Sequence, residues 1–297
     1  MTKLARKADT RRLAVLLGPT TLFLGICFIG PLTVMLIYSF LEPGLYGGVE
    51  WNFYHWNYGR ILGWADGEWE EFDPVYAEIF LRSVRLALTN VLITLVICYP
   101  TALWVSGLSP PWRTMVVFLI TLPFFVSLVV RLFAWVLILR PSGFLNASLL
   151  GLGLISEPID IIFTETAVLI GMAYVLLPFM FLPIYASVEK LDHSLIEASS
   201  DLGGNARQTF LRVTLPLTLP GIAAGSVLVF IPSLGNFIVP DILGGAKVLM
   251  IGNLVEQQFL SARNWPFGAA LSVMIMFVMF LLILIYLRRI GRAGANA

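Results

Sequence analysis

Six long apolar runs, separated by polar passages, dominate this chain. About 20 apolar residues are enough to cross the hydrocarbon core of a bilayer as a helix. Inside a bilayer the backbone polar groups have to be paired within the segment, which single spans achieve only as helices. Only 12% of the 297 residues are charged, against about a quarter in soluble proteins. The sequence therefore predicts an all-α integral membrane protein with six transmembrane helices. The runs are 13–40, 79–107, 115–139, 166–187, 217–240 and 267–287.

Charges on the two sides of these runs predict an orientation. Lys and Arg concentrate in residues 1–12, in 189–216 and after residue 287, whereas most Asp and Glu lie in the alternate passages, notably 41–78. Loops rich in Lys and Arg stay in the cytoplasm, so we expect both termini and residues 189–216 to be cytoplasmic. The first run exceeds the roughly 7–15 apolar residues of a signal peptide, which predicts an uncleaved helix.

The polar passage between the fourth and fifth runs predicts two short helices. Ser194 with Glu197, and Asn205 with Gln208, each match a capping box, in which a cap residue is followed three positions later by Glu or Gln. Gly203 supplies the positive φ that ends the first helix. One face of that helix is expected to hold Leu195, Ala198, Ser199 and Leu202.

The same passage resembles a family signature. Glu197-Ala198-Ser199, then Gly203 and, after nine further residues, Val213-Thr214-Leu215-Pro216, is similar to the EAA signature of bacterial ABC-importer permeases. Ser199 and Val213 stand where that family usually has Ala and Ile. The resemblance implies the type I (MetI-like) permease fold and a cytoplasmic coupling helix that sits in a groove of an ATPase subunit. It assigns ATPase coupling to Glu197, Ala198, Ser199, Asp201, Gly203, Leu215 and Pro216.

Later stretches, including residues 241–247 and 264–268, resemble the permeases of spermidine/putrescine importers, the PotB and PotH type. This resemblance implies a bacterial inner-membrane complex with two ATPase subunits, a second permease of the PotC/PotI type and a periplasmic polyamine-binding protein. The chain has no Walker A pattern, so the nucleotide has to be bound by another chain, and no cofactor is expected here. The implied organisation is a cytoplasmic tail (1–12), a first transmembrane helix (13–40), a periplasmic loop (41–78), a permease core (79–288) with its coupling loop (189–216), and a cytoplasmic tail (289–297).

Four residues are candidates for the substrate path. Asn236 and Asp241, at the outer end of the fifth run, are plausible ligands for a cationic solute. Trp135 and Tyr174 lie within the third and fourth runs, and aromatic rings attract ammonium groups. The alternatives are a helix cap or a solvated loop acid for Asp241, and packing for Trp135.

Two further features lie inside the runs. Arg131 is costly to bury in a membrane, so we expect it to pair with Glu165 or Asp160. The fifth run is rich in Pro and Gly, and its Gly221-x-x-x-Gly225 pattern allows close helix approach. We expect this run to line the path or to contact a second permease; the alternative is a kinked packing helix.

Other functions predict other features. An ABC permease for a different small solute, such as an oxyanion, an iron chelate or another cation, would carry the same EAA signature. A secondary transporter usually carries an intramembrane acid, and none lies near the middle of these runs. His55 and His193 lack the neighbours of a metal site, a net charge of +1 argues against a nucleic-acid partner, and no nucleophile–base group indicates an enzyme.

Overall fold

A computed structural model of the chain describes residues 3–64, 72–245 and 247–295. Predictions for the acidic residues within 65–71, and for the side chains of the two basic tails, fall outside the described part. The α-helices are α1 (Lys3–Tyr38), α2 (Trp56–Ile61), α3 (Val75–Ser106), α4 (Pro110–Thr121), α5 (Leu128–Leu139), α6 (Phe144–Gly151), α7 (Glu165–Glu189), α8 (His193–Asp201), α9 (Ala206–Thr209), α10 (Leu215–Leu234), α11 (Ile238–Gly244), α12 (Ile251–Leu260) and α13 (Trp265–Ala295). Strands β1 (Leu41–Pro43) and β2 (Val49–Phe53) form an antiparallel hairpin.

Six helical segments of the described chain are long and apolar enough to cross a membrane, as predicted. They are Leu16–Tyr38, Val75–Ser106, Leu128–Gly151, Glu165–Glu189, Ala206–Leu234 and Trp265–Leu284. The passages expected to be loops, 41–78 and 241–266, also contain structure: the hairpin and α2 in the first, and most of α11 and α12 in the second.

The third apolar run is not one helix, which corrects the simplest interpretation of residues 115–139. After α4 the chain forms a 3₁₀ turn over Leu122–Phe125 and then becomes extended at Val126, with ψ of 138°. Pro123 lies in this turn, and because proline has no N–H and its ring crowds the preceding turn, it breaks a helix interior. The spanning segment accordingly consists of α5 together with α6.

The chain divides into two compact units, and the first comprises Met1–Asp73 with Val255–Met276. In this unit Asn57 Nδ2 donates hydrogen bonds to the carbonyl oxygens of Ser39 and Leu41, at 3.1 and 2.9 Å. These bonds hold α2 against the start of the hairpin. At the hairpin turn, the N–H of Gly48 donates to the carbonyl oxygen of Arg263 at 3.1 Å, which ties residues far apart in sequence into one lobe.

The second unit comprises Pro74–Leu254 with Phe277–Ala297, and α7 is its central helix. This helix packs against α3, α5, α10 and α11. It meets α10 at Gly221 and Gly225, where an added Cβ atom would lie 2.6 Å from the carbonyl oxygen of Pro183 and 2.9 Å from the sulfur of Met180. The predicted close approach is therefore confirmed. Their partner is a helix of the same chain, so these two glycines serve packing within this unit.

Two side-chain hydrogen bonds join α3 to α10 in the apolar interior of this unit. Asn90 Nδ2 donates to Ser233 Oγ at 2.9 Å, and the hydroxyl oxygens of Tyr99 and Thr218 are 2.9 Å apart. The side chains of Asn90, Ser233 and Thr218 are fully buried. A buried polar group without a partner costs roughly 1–3 kcal/mol. The two pairs therefore favour one register of α3 against α10.

Candidate functional site

Residues 189–216, the predicted coupling segment, begin with a helix cap that differs from the predicted one. Asp192 is the N-cap of α8, and its Oδ1 accepts a hydrogen bond from the N–H of Ser194 at 3.0 Å. The predicted capping box of Ser194 with Glu197 is wrong, because Ser194 already lies in the first turn of the helix. Asp is as good a cap as Ser, and α8 starts at the earlier of the two.

The break after α8 depends on two glycines for two different reasons. Gly203 has a φ of +80°, a conformation that residues with a Cβ atom rarely adopt. The N–H of Gly204 donates to the carbonyl oxygen of Ser199 at 2.9 Å. An added Cβ atom at Gly204 would lie 2.7 Å from that oxygen, so this position has no room for one. The predicted helix end at Gly203 is confirmed.

The second helix starts with the predicted capping box. Asn205 Oδ1 accepts from the N–H of Gln208 at 2.9 Å, and Gln208 Oε1 accepts from the N–H of Asn205 at 3.0 Å. From α9 the helical backbone continues through a π-helical turn at Phe210–Thr214 directly into α10. Pro216 follows this π-helical turn after one intervening residue, and the helical backbone continues through it. Residues 206–234 therefore form one continuous helical rod.

A hydrogen bond between side chains ties the two short helices together. Ser199 Oγ and Thr209 Oγ1 are 2.9 Å apart, and Thr209 is buried. Ser199 stands where the EAA signature usually has Ala, and here its hydroxyl group has a partner. Sequence reasoning missed Thr209, because no local pattern marks a partner ten residues away.

An exposed groove of about 540 Å³ opens between α8 and the start of the following rod. It is lined by Leu195, Ala198, Ser199, Leu202, Gly203, Gly204, Gln208, Arg212 and Val213. The predicted apolar face of α8 thus forms one wall, and the side chain of Leu202 is 89% exposed. Of the residues assigned to coupling, Glu197 and Asp201 are exposed on α8 outside the groove, and Leu215 and Pro216 open α10.

A polar cluster that the sequence did not indicate lies at the N-terminal end of the coupling segment. Glu189, the last residue of α7, accepts a hydrogen bond from Arg113 at 3.0 Å and another from the Tyr185 hydroxyl group at 2.8 Å, both on Oε1. Because Arg113 belongs to α4, this cluster joins the start of α4 to the end of α7.

In the N-terminal half of α7, two of the substrate-path candidates meet. The rings of Trp135 on α5 and Tyr174 on α7 are T-shaped, with centroids 5.6 Å apart and an angle of 68° between the ring planes. Both side chains are half-buried. A second T-shaped pair, Phe124 with Phe179, also involves α7, with centroids 5.2 Å apart.

The other two candidates belong to the turn and helix that follow α10. Asn236 Oδ1 accepts a hydrogen bond from the N–H of Val239 at 3.0 Å, so Asn236 caps the start of α11. Asp241 is exposed in the first turn of that helix, where the helix dipole favours a negative charge. The four candidates therefore lie in two separate groups, and the helix-cap alternative applies to Asn236 instead of Asp241.

Arg131 does not have the expected partner. Glu165 is engaged by Arg85, whose NH2 nitrogen lies 2.6 Å from Glu165 Oε2, and by the Nε nitrogen of Arg82 at 3.8 Å. The guanidinium of Arg131 lies instead over the ring of Tyr174, with its Cζ atom 5.8 Å from the ring centroid. The expected pairing of Arg131 with Glu165 or Asp160 is wrong. Among the described residues neither carboxylate forms an ion pair with Arg131, and Glu165 pairs with two arginines on α3.

In the described part of the chain, six membrane-length helices and one exposed pair of short helices indicate a multi-pass membrane protein. Among the described residues no group of three or more His, Cys, Asp or Glu side chains could hold a metal ion. A family model described as "Binding-protein-dependent transport system inner membrane component" matches residues 101–292. The chain belongs to this family, and it is a transport subunit rather than an enzyme.

The individual proteins that this chain resembles are also named as transport permeases. The chain is similar to the protein named "Spermidine/putrescine transport system permease protein PotB" of Escherichia coli K12, with 46% identity over 232 residues, 78% of this chain and 81% of the relative. The protein of that name in Haemophilus influenzae is 46% identical over 217 residues, 73% of this chain and 76% of the relative. The E. coli K12 protein "Inner membrane ABC transporter permease protein YdcU" is 35% identical over 238 residues, 75% of this chain and 74% of the relative.

Solved structures confirm the predicted fold class. A chain of a bacterial ABC transporter that imports the acidic polysaccharide alginate superposes with a TM-score of 0.68, covering 98% of this chain and 99% of that one, at 19% identity. A chain of a bacterial alginate ABC transporter in complex with an alginate pentasaccharide-bound periplasmic protein gives a TM-score of 0.63, covering 94% of this chain and 93% of that one, at 19% identity. At this identity the likeness concerns the fold alone. The fold is that of a type I ABC-importer permease.

Proposed function

We propose that this chain is one permease subunit of an ATP-driven importer of polyamines, spermidine or putrescine, in a bacterial inner membrane. The observation that carries the proposal is the 46% identity to PotB proteins over 78% of the chain. The proposed partners are two ATPase subunits, a second permease of the PotC/PotI type and a periplasmic polyamine-binding protein. Both termini and the coupling segment face the cytoplasm in this proposal, supported by the Lys and Arg distribution.

The coupling segment is the proposed ATPase contact. Its exposed α8 carries Glu197, Ala198, Ser199 and Asp201, and Gly203 ends it; these residues, with Leu215 and Pro216 at the start of α10, are the proposed coupling residues. The largely exposed side chain of Leu202 is an apolar group available to a partner. Burial of such a side chain in a protein–protein contact stabilises the contact by roughly 1.5–3 kcal/mol.

The proposed mechanism is alternating access driven by movement of this segment. ATP binding draws the two ATPase subunits together and displaces α8 and α9. Because the helical backbone runs without a break from Ala206 to Leu234, the displacement passes directly into α10. The tight contact of Gly221 and Gly225 with α7 then carries it to the central helix of the unit. Hydrolysis restores the inward-facing state, and this chain makes or breaks no covalent bond.

The substrate path is proposed to pass the aromatic pair of Trp135 and Tyr174, and Asn236 and Asp241 are proposed to lie near its outer entrance. Ring faces attract the ammonium groups of a polyamine. The exposed carboxylate of Asp241 is a counter-charge for such a solute.

Reconstituted uptake tests the proposal. The chain, purified with its partner subunits, is placed in proteoliposomes, and labelled spermidine and putrescine are supplied with the binding protein. We expect uptake that requires ATP and is reduced by either unlabelled polyamine but not by sulfate. Vesicles loaded with ADP in place of ATP are the control. Competition by sulfate, or uptake by the chain without its partners, would contradict the proposal.

A further inference from the structure

The side chain of Arg131 occupies an unusual position for a charge inside a membrane protein. It belongs to α5, whose neighbouring residues are apolar, and it is half-buried. Its Nε atom is buried without a hydrogen-bond partner among the described residues. An arginine is always charged at physiological pH. The charge of Arg131 therefore requires compensation by something other than a hydrogen bond at Nε.

An aromatic ring lies beside this charge. The Cζ atom of Arg131 lies 5.8 Å from the centroid of the Tyr174 ring, within the roughly 6 Å at which a cation is attracted by a ring face. Trp135, one turn after Arg131 on α5, packs its ring against Tyr174 in a T-shaped contact. The carboxylate of Glu165, at the start of α7, is paired with Arg85.

We infer that Tyr174 and Trp135 form a subsite for an alkylammonium group, and that Arg131 occupies this subsite as a competitor within the chain. The inference rests on the proposed function, because the ligand would be one ammonium group of the transported polyamine. A ring face that accepts a guanidinium offers the same attraction to a substituted ammonium. Arg131 is thus assigned as a specificity-determining residue.

Competition of this kind favours multiply charged solutes. A solute with one positive charge replaces the guanidinium on the ring with another cation, so the net gain in binding free energy is small. A di- or triamine brings further ammonium groups, each of which can make a contact of its own, and linked contacts add to the total affinity. Displacing Arg131 therefore selects for polyamines over simple cations.

Equilibrium binding tests the inference separately from transport. Radiolabelled spermidine is titrated against the complete permease–ATPase complex in nanodiscs, without the binding protein. Arg131→Gln empties the subsite, so it should bind spermidine about two- to fivefold more tightly than the wild type, the factor expected for one cation–ring contact. Arg131→Lys keeps a cation on the ring and should remain within about twofold of the wild type.

Two further variants distinguish a binding role from a structural one. Adding Tyr174→Leu to Arg131→Gln should abolish the gain in affinity. Phe179→Leu removes a ring from a T-shaped pair on the same helix, over which no cation lies among the described residues. This variant should leave spermidine binding unchanged. Binding by Arg131→Gln that is equal to or weaker than wild type, or undetectable, overturns the inference. Polyamine uptake by the wild-type complex is measured in parallel, so failure of the proposed function appears there and is distinguishable.

Discussion

Gly203 allows a quantitative test of the coupling segment, because its surroundings isolate one physical effect. Its φ is +80°, and no heavy atom would lie within 4 Å of an added Cβ atom. A substitution there meets no steric obstacle from neighbouring residues. Its cost is the conformational cost of placing an L-residue in the left-handed region, roughly 1–2 kcal/mol.

This cost predicts a graded series of variants. Gly203→Ala and Gly203→Val should shift the equilibrium from the native turn toward other conformations by about 5- to 30-fold, with β-branched Val at the upper end. Gly203→Asn is the matched control, because Asn tolerates the left-handed region. If the turn has to be native for α8 to engage the ATPase, uptake should decrease in the order Gly, Asn, Ala, Val.

The assay is ATP-driven polyamine uptake per complex in proteoliposomes, with the amount of inserted chain measured in the same vesicles. Insertion should be unchanged, since Gly203 is exposed and lies outside the apolar interior. Full uptake by Gly203→Val would refute the coupling role of this turn. An equal loss in the Asn and Val variants would show that backbone conformation is not the cause.

Three further predictions concern stability. Gly221→Ala forces a Cβ atom against the α7 backbone and should destabilise the fold by roughly 1–3 kcal/mol, measured as a lower midpoint of thermal unfolding. Gly25→Ala is the control, because an added Cβ atom there has nothing within 4 Å, and its midpoint should change little. Equal midpoints for the two variants would contradict the close contact of Gly221 with α7. Asn205→Ala removes a capping box and should cost about 1 kcal/mol, measured as roughly fivefold faster amide exchange at the start of α9; unchanged exchange would argue against the cap. Glu165→Gln breaks a partly exposed ion pair with Arg85, which should lower stability by at most about 1 kcal/mol. Because salt screens exposed charges, the change in thermal midpoint should be smaller at high salt. A large change that does not depend on salt would contradict this prediction.

The sequence by itself determined the features that depend on local chemistry. Run length is enough to predict six spans, because a bilayer leaves a spanning backbone few alternatives to a helix. The turn at Gly203 and the capping box of Asn205 with Gln208 could also be predicted, because each involves residues within a few positions of one another. The EAA signature is likewise a fixed spacing along the chain.

The tertiary structure decided which distant groups meet. Arg85 and Glu165 are separated by 80 positions, and the sequence contains several other acids that Arg131 could have used. Only the packing of α3, α5 and α7 leaves Arg131 on the ring of Tyr174 and without that carboxylate. The helix that packs against the glycines of α10 could not be predicted either. A small-residue pattern indicates that another helix approaches closely, but it does not indicate which helix. Local hydrogen bonds have one candidate partner, whereas contacts between helices have many, and only the folded arrangement selects among them.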